Sequence, residues 1–368
     1  MKETYIKVSD LRPGIIISHD VFVNTNYPIV RKDTELSAEH LEVLYAFGVK
    51  KVKVEEQVVV KRDELQSSVG EGSVKPTAIL SEIPAFKADI KSQYDNTIQN
   101  YKKELTSWRA GIRPDIAKVR SMTMPLVESF IEQKKLLPLL NEFSNSIDYM
   151  YHHSIAVGVL AAAISKQMGF PKGQTLQLGL AGVLADCGMV KINTAITEKA
   201  AFLTKNEFDE VKKHTIYSLQ MVKDSPFLRQ EMKLAILQHH ERLDGSGYPQ
   251  GVKLDKVSVL SQIVAVADVY HARTSERVHR SKESPFKVIE MIKEEEFGKF
   301  DIKVIHALEQ LLGHIAIGMK VRLTNGEEGD VMFVHRDAGL RPMVKKDVDG
   351  TVLDLTTNRH LAIEKILK

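Results

Sequence analysis

From about residue 78 to about residue 315 the apolar residues recur at helical spacing, and at Gly318 that spacing gives way to alternation. Leu126, Phe130, Leu136, Leu139 and Leu140 mark one helix pair, and Ile155, Val159, Ala162 and Ile164 mark a strongly apolar helix. Leu176–Cys187 is apolar almost all round, the pattern of a helix at the centre of a bundle. Further helical periods are predicted around 206–223, 228–240, 256–273, 284–295 and 300–312. Beyond Gly318, Lys320-Val321-Arg322-Leu323 alternates, Asn325-Gly326 supplies a hairpin turn, and Gly329–Val334 forms the return run. A second turn, Asp349-Gly350, separates Val344–Val348 from Thr351–Leu355. The C-terminal stretch therefore reads as a small antiparallel barrel or sheet.

Residues 1–60 alternate short β-type runs (Gly14–Ile17, Val52–Val54, Val58–Val60) with one amphipathic helix that begins after Ser37 and ends at Gly48. The segment after it is polar and rich in Gly and Ser. The expected fold is mainly α: an all-helical bundle flanked by a small N-terminal α+β domain and a small C-terminal antiparallel β domain. The corresponding boundaries are 1–60, a linker at 61–77, the helical domain with its N-terminal extension at 78–315, and the β domain at 316–368. A chain of 368 residues suits two or three domains. A net charge of +3 argues against a nucleic-acid polymer or an anionic membrane as partner. A single cysteine, Cys187, excludes an intrachain disulfide. Met1-Lys2-Glu3-Thr4-Tyr5 is not the start of a signal peptide. The apolar window Ile155–Ile164 is about half the ~20 residues a membrane span needs, so a cytoplasmic location is expected.

The chemistry concentrates in His239-His240-Glu241-Arg242-Leu243-Asp244-Gly245-Ser246-Gly247-Tyr248-Pro249. Two imidazoles suit a divalent metal, and the glycines allow close backbone approach to a ligand. Single histidines on helices are commonly surface or core residues. Here, however, His153 opens an apolar helix, Asp186 sits inside the next, His214 follows Glu207–Lys213, and Asp268 lies in Val264-Ala265-Val266-Ala267-Asp268. A carboxylate among apolar helix residues is costly unless it is paired or binds a metal.

Over roughly residues 148–313 these residues closely resemble the HD-GYP family, a branch of the HD-domain metal-dependent phosphohydrolases. The resemblance rests on His153-Ser154, Asp186-Cys187-Gly188, the His214 segment, the His239–Pro249 string, and Ala267-Asp268 followed by Thr274-Ser275-Glu276-Arg277. It implies an all-helical domain that hydrolyses the bacterial messenger cyclic di-GMP with two or three metal ions, iron or manganese. A hydroxide between paired metals would attack phosphorus in line. The resemblance places Asp186 as the bridging ligand. One metal would take Asp186, His214, His239 and His240; the other would take Asp186, His153, Asp268 and the histidine just before the bridging aspartate. It also places Gly247, Tyr248 and Pro249 against the dinucleotide, and Arg277 and Arg280 against its phosphates, where Arg suits bidentate contact.

Four positions depart from the family pattern. The histidine before the aspartate reads Ala185, and the phosphate-contacting lysine three residues after it reads Met189. Tyr149 replaces a third-metal carboxylate, and His271 stands where an aspartate is usual. Lys191 and His271 are candidates to fill the gaps. The resulting expectation is a degenerate HD-GYP protein of cyclic di-GMP signalling. It would bind ligand with one metal ion or none rather than a full two-metal centre, act by protein contact with little or no hydrolysis, and leave a homodimer open. An active phosphodiesterase and an interaction scaffold without ligand are the alternatives. Cys187 is expected to be buried and inert, and Trp108, Met122 and Met124 to be packing residues.

Overall fold

In a computed structural model of the chain, two antiparallel strand pairs come first in sequence. They are β1 (Tyr5–Lys7) with β4 (Lys51–Lys53), and β2 (Ile16–Ile17) with β3 (Thr34–Glu35). The structure describes residues 5–8, 15–22, 28–37, 40–41, 44, 49–53, 83–199, 201–277, 281–294, 298–336 and 338–367. The expected linker at 61–77, the run Val58–Val60 and most of the predicted N-terminal helix lie outside these residues, as does Arg280. The chain divides into two units, residues 1–23 with 28–96, and residues 24–27 with 97–368. In the first, Val8, Ile17, Ile29, Val30, Leu36, Leu44 and Val52 are buried.

Helices then follow in succession. They are α1 (Ile83–Arg109), α2 (Ile116–Glu132), α3 (Leu139–Phe143), α4 (Tyr149–Gln167), α5 (Lys172–Leu184), α6 (Thr194–Thr197), α7 (Lys205–Lys212), α8 (His214–Val222), α9 (Gln230–Gln238), α10 (Val259–Thr274), α11 (Pro285–Glu294) and α12 (Ile302–Leu312). The fold is thus mainly α, as the periodicity predicts. The predicted 206–223 helix is two helices, broken at Lys213, with the first held by a Thr204–Glu207 capping box. The predicted helix through Cys187 ends at Leu184, because Ala185 and Asp186 lead into a 3₁₀ turn over Cys187–Lys191.

The centre of the larger unit is α4 packed on α5. Every residue from His152 to Ser165 on the strongly apolar α4 is buried, as is every residue from Leu178 to Leu184 on α5, where the pattern is apolar almost all round. The two helices approach closely because Gly158 faces Gly182; a Cβ on Gly182 would lie 2.9 Å from the Gly158 Cα. Tyr101 of α1 donates to the Val183 carbonyl, 2.8 Å, and so holds the end of α5 from its other side. Gln238, at the end of α9, accepts from Ser258 N and Ser261 Oγ and donates to the Lys256 carbonyl. That side chain ties the end of α9 to the start of α10 and sets where His239, His240 and Asp268 meet.

The C-terminal strands β5 (Lys320–Leu323), β6 (Glu328–His335), β7 (Ala338–Lys346), β8 (Val352–Asp354) and β9 (Ile363–Ile366) form one antiparallel sheet in the order β8-β7-β6-β5-β9. Gly326 and Gly350 occupy the two predicted turns with φ of 87° and 70°, the left-handed region that favours glycine. Of the two predicted forms, barrel or sheet, the structure shows the sheet. Arg341 of β7 meets Glu290 of α11 through both carboxylate oxygens and donates to the Leu355 and Leu361 carbonyls. Among the described residues no helix is long and apolar enough to cross a membrane.

Candidate metal centre

Five elements deliver the histidines and aspartates to one place. Asp186 lies at the turn after α5. His214 begins α8, His239 and His240 follow α9, His153 sits on α4 and Asp268 on α10. The Asp186 turn is pinned to α8, where the Gly188 N–H donates to Ser218 Oγ at 2.7 Å. His214 lies four residues before Ser218, on the same face of that helix, so the bond that holds the turn also sets His214 against Asp186.

Two groups of donors result. In one, ligand atoms of Asp186, His214, His239 and His240 lie within 4.8 Å of one another; in the other, those of His153, Asp186 and Asp268 do. Asp186 Oδ1 is 3.1 Å from His214 Nε2 and 3.3 Å from His239 Nε2, while its Oδ2 is 3.5 Å from His153 Nε2. One carboxylate therefore faces both groups, through a different oxygen for each. His153 Nε2 also lies 2.9 Å from Asp268 Oδ1, and His240 Nδ1 lies 3.8 Å from Asp268 Oδ2.

The donor set of the first group fits a divalent cation. His214 Nδ1 and His239 Nδ1 each lie 2.7 Å from a backbone carbonyl, of Val211 and Ile236. A carbonyl only accepts, so both rings donate there through Nδ1 and turn Nε2 inward, toward Asp186, as the atom that a cation would take in place of a proton. Those two Nε2 atoms are 3.4 Å apart beside a carboxylate oxygen, an arrangement that a cation satisfies. Burial and the neighbouring His239 hold His240 well below the usual imidazole range, so it offers a lone pair. The second group has three donors. Ala185, 2% exposed at the end of α5, contributes only a methyl, where the resemblance leads one to expect an imidazole.

Neither candidate substitute fills that gap. His271 Nδ1 lies 3.0 Å from His153 Nδ1, whereas the carboxylates face His153 Nε2; His271 stands behind His153. Burial, His153 and Arg277 push the His271 imidazole well below its ordinary range. Lys191 lines a separate cleft of about 830 Å³, walled by residues 111–116 and by Tyr217, Gln220 and Met221 among others, with none of the clustered histidines or aspartates. Tyr149 Oη is 3.0 Å from His153 Nδ1 and accepts from Arg277, whose guanidinium lies 4.2 Å from the Tyr149 ring centroid. Arg277 is thus packed beside the centre rather than on a solvated face. Cys187 is fully buried, and burial pushes its thiol up to about 12, the environment of an unreactive thiol.

The loop after His240 folds back on the imidazoles. Tyr248 N donates to the His240 carbonyl at 3.1 Å, its ring stacks on His240 at 4.6 Å, and the Tyr248–Pro249 peptide is cis. Gly247 packs where a Cβ would lie 2.4 Å from the His240 carbonyl oxygen. The residue that sequence reasoning missed is Glu241. It is fully buried, and its two oxygens accept from Gln250 N (2.7 Å) and Val252 N (3.2 Å). Burial pushes its carboxyl up to about 7, against those N–H groups. An acidic residue between two histidines and a Gly-rich loop was the available signal. Glu241→Gln turns an NH₂ toward one of those amides, so we expect a loss of about 1–3 kcal/mol, read as a lower Tm and faster exchange of the Gln250 and Val252 amides.

Residues 133–304 match the HD domain family. That segment is similar to curated phosphodiesterases. It is 33% identical over 240 residues to the cyclic di-GMP phosphodiesterase PA4108 of Pseudomonas aeruginosa, covering 64% of this chain and 57% of that protein. It is 27% identical over 232 residues to the cyclic di-GMP phosphodiesterase PdeB of Borreliella burgdorferi, covering 60% and 61% respectively. The matches thus span about three-fifths of those relatives' lengths. A solved HDG"Y"P protein of Bdellovibrio bacteriovorus, Bd1817, aligns over 85% of this chain and 100% of its own, at 16% identity and a TM-score of 0.49. The matched segment contains the described histidines and aspartates, and these include two groups whose ligand atoms lie close enough to hold a divalent cation.

Two opposed influences act on His153. Burial lowers its pKa, but hydrogen bonds to Asp186 and Asp268 outweigh this and raise it to about 9. A folded-state value above the usual ~6.5 means that this group stabilises the metal-free HD domain fully below about pH 6.5. That contribution is lost as pH rises through about 9. Thermal melts of the metal-free chain between those limits, set beside those of His153→Gln, read it, and the same pH dependence in both would refute it.

Proposed function

We propose that this HD-domain protein binds a cyclic dinucleotide such as cyclic di-GMP, together with one divalent ion held by Asp186, His214, His239 and His240. It acts through contacts with another protein, with little or no hydrolysis. The observation that carries this reading is the buried methyl of Ala185, which leaves the His153–Asp268 group with three donors. Met189 adds no charge, and Lys191 lines a different cleft. The bound ion would supply Lewis-acid attraction for a phosphate oxygen. The protein's own groups would do the rest of the binding: Gly247, Tyr248 and Pro249 shape the wall beside the imidazoles, and Arg277, fixed by Tyr149, offers a cation beside His153. The names of the relatives support the ligand class, since those proteins are cyclic di-GMP phosphodiesterases.

One observation favours the active-enzyme reading: Asp186 still faces both donor groups, through its two oxygens. Metal analysis with a cyclic di-GMP titration separates the two. About one ion per chain with binding but no turnover is expected; about two ions with manganese- or iron-dependent hydrolysis would overturn the proposal, and no ion with no binding would favour a scaffold. Ala185→His with Met189→Lys should raise metal content and hydrolysis together. An unchanged rate in a folded double variant would show that the missing ligand is not the cause.

A further inference from the structure

A line of rings leads out of the metal centre. His239 and His240 have centroids 4.1 Å apart, Tyr248 stacks on His240 at 4.6 Å, and Phe208 of α7 meets Tyr248 edge-on at 6.4 Å. Phe208 is 45% exposed, on a helix with no buried residue, so core packing does not account for its ring. One turn along α7, Lys212 Nζ lies 4.9 Å from the Phe208 centroid and 6.0 Å from that of Tyr248. Asp209 Oδ1, 2.8 Å away, steadies that ammonium and partly offsets its charge. The outermost ring is therefore half-exposed, with a cation over one face and the other face left for a flat ligand, two ring contacts from the imidazole that faces Asp268.

We propose that Phe208 is the nucleobase platform of the site and Lys212 the residue that selects guanine. This rests on the cyclic-dinucleotide reading above. With a phosphate beside the imidazoles, the adjoining base is directed along Tyr248 onto Phe208. Stacking tolerates any base, because each has a π-face. Lys212 does not: guanine presents two acceptors, N7 and O6, on one edge, whereas adenine places an amino donor next to its N7. An ammonium with only donors distinguishes them.

The test uses calorimetric titration of the full metal-loaded chain with cyclic di-GMP and cyclic di-AMP. Phe208→Ala should weaken cyclic di-GMP binding by about 5- to 150-fold, the range of base–aromatic stacking, with metal content and Tm unchanged. Phe208→Trp should retain binding and add a fluorescence signal quenched by the ligand, against the constant background of buried Trp108. Lys212→Met should narrow the preference for the guanine ligand while leaving both binding events measurable. Wild-type binding that Phe208→Ala leaves intact would overturn the platform and spare the proposed function. An unchanged preference in Lys212→Met would overturn the selector. A wild-type chain that binds neither dinucleotide would overturn the proposed function and the platform together.

Discussion

Asp186→Asn should empty both donor groups at once. The amide keeps the carboxylate's size but loses its charge and one acceptor. It would face three Nε2 atoms, from His153, His214 and His239, that lie 3.1–3.5 Å from the native oxygens. Those three imidazoles hold the Asp186 carboxyl well below the usual carboxylate range despite its burial, so the native residue is ionised at any working pH. Loss of a ligand's outer partner alone costs about 10–100-fold in metal affinity. Removal of the shared ligand should cost on the order of 100-fold or more. Elemental analysis after gel filtration reads the result, and a variant that keeps the wild-type metal content would remove Asp186 from the centre.

Gly188→Ala should be the most damaging single-methyl change near the centre. Gly188 is not among the positive-φ glycines, so the demand is for space. A Cβ there would lie 2.2 Å from the His214 carbonyl oxygen, 2.4 Å from Ser218 N and 2.8 Å from Ser218 Oγ. Backbone cannot rotate away as a side chain can, so the turn and α8 must separate. That separates Asp186 from His214 and breaks the Gly188–Ser218 hydrogen bond. Overpacking costs about 1–3 kcal/mol and occasionally more; with backbone on both sides we expect the upper end, roughly 6 °C or more in Tm. Metal content should fall in the same variant. An unchanged Tm would mean that the turn is not pinned as described.

The elements differ in how far their residues announced them. The α4 helix was legible because its residues are strongly apolar at helical spacing, and the hairpin turn because Asn325-Gly326 demands a conformation few other pairs adopt. The break between α7 and α8 was not, since Lys213 carries no helix-breaking signal and the capping box at Thr204 marks only the first start. At the site, the identities of His153, Asp186, His214, His239, His240 and Asp268 stood out as polar residues in apolar surroundings. Glu241 and Phe208 did not. A charged residue in a loop and a ring on a polar helix look ordinary until the chain folds Gln250 and Val252 onto one and Tyr248 against the other.

By itself the sequence determined the class of fold, through the period of its apolar residues, and the kind of chemistry, through imidazoles and carboxylates that would be costly to bury without a partner. Through the family resemblance it also singled out Ala185, which has no ligand atom, and Met189, which has no charge, in any conformation. Only the tertiary structure decided direction. His271 lies behind His153 rather than across from Ala185, Lys191 lines another cleft, and Asp186 turns one oxygen to each donor group. Direction depends on how five elements far apart in sequence are oriented against one another. That orientation is set by packing contacts such as Gly158 on Gly182 and the Ser218 bond to Gly188, which local sequence patterns do not encode.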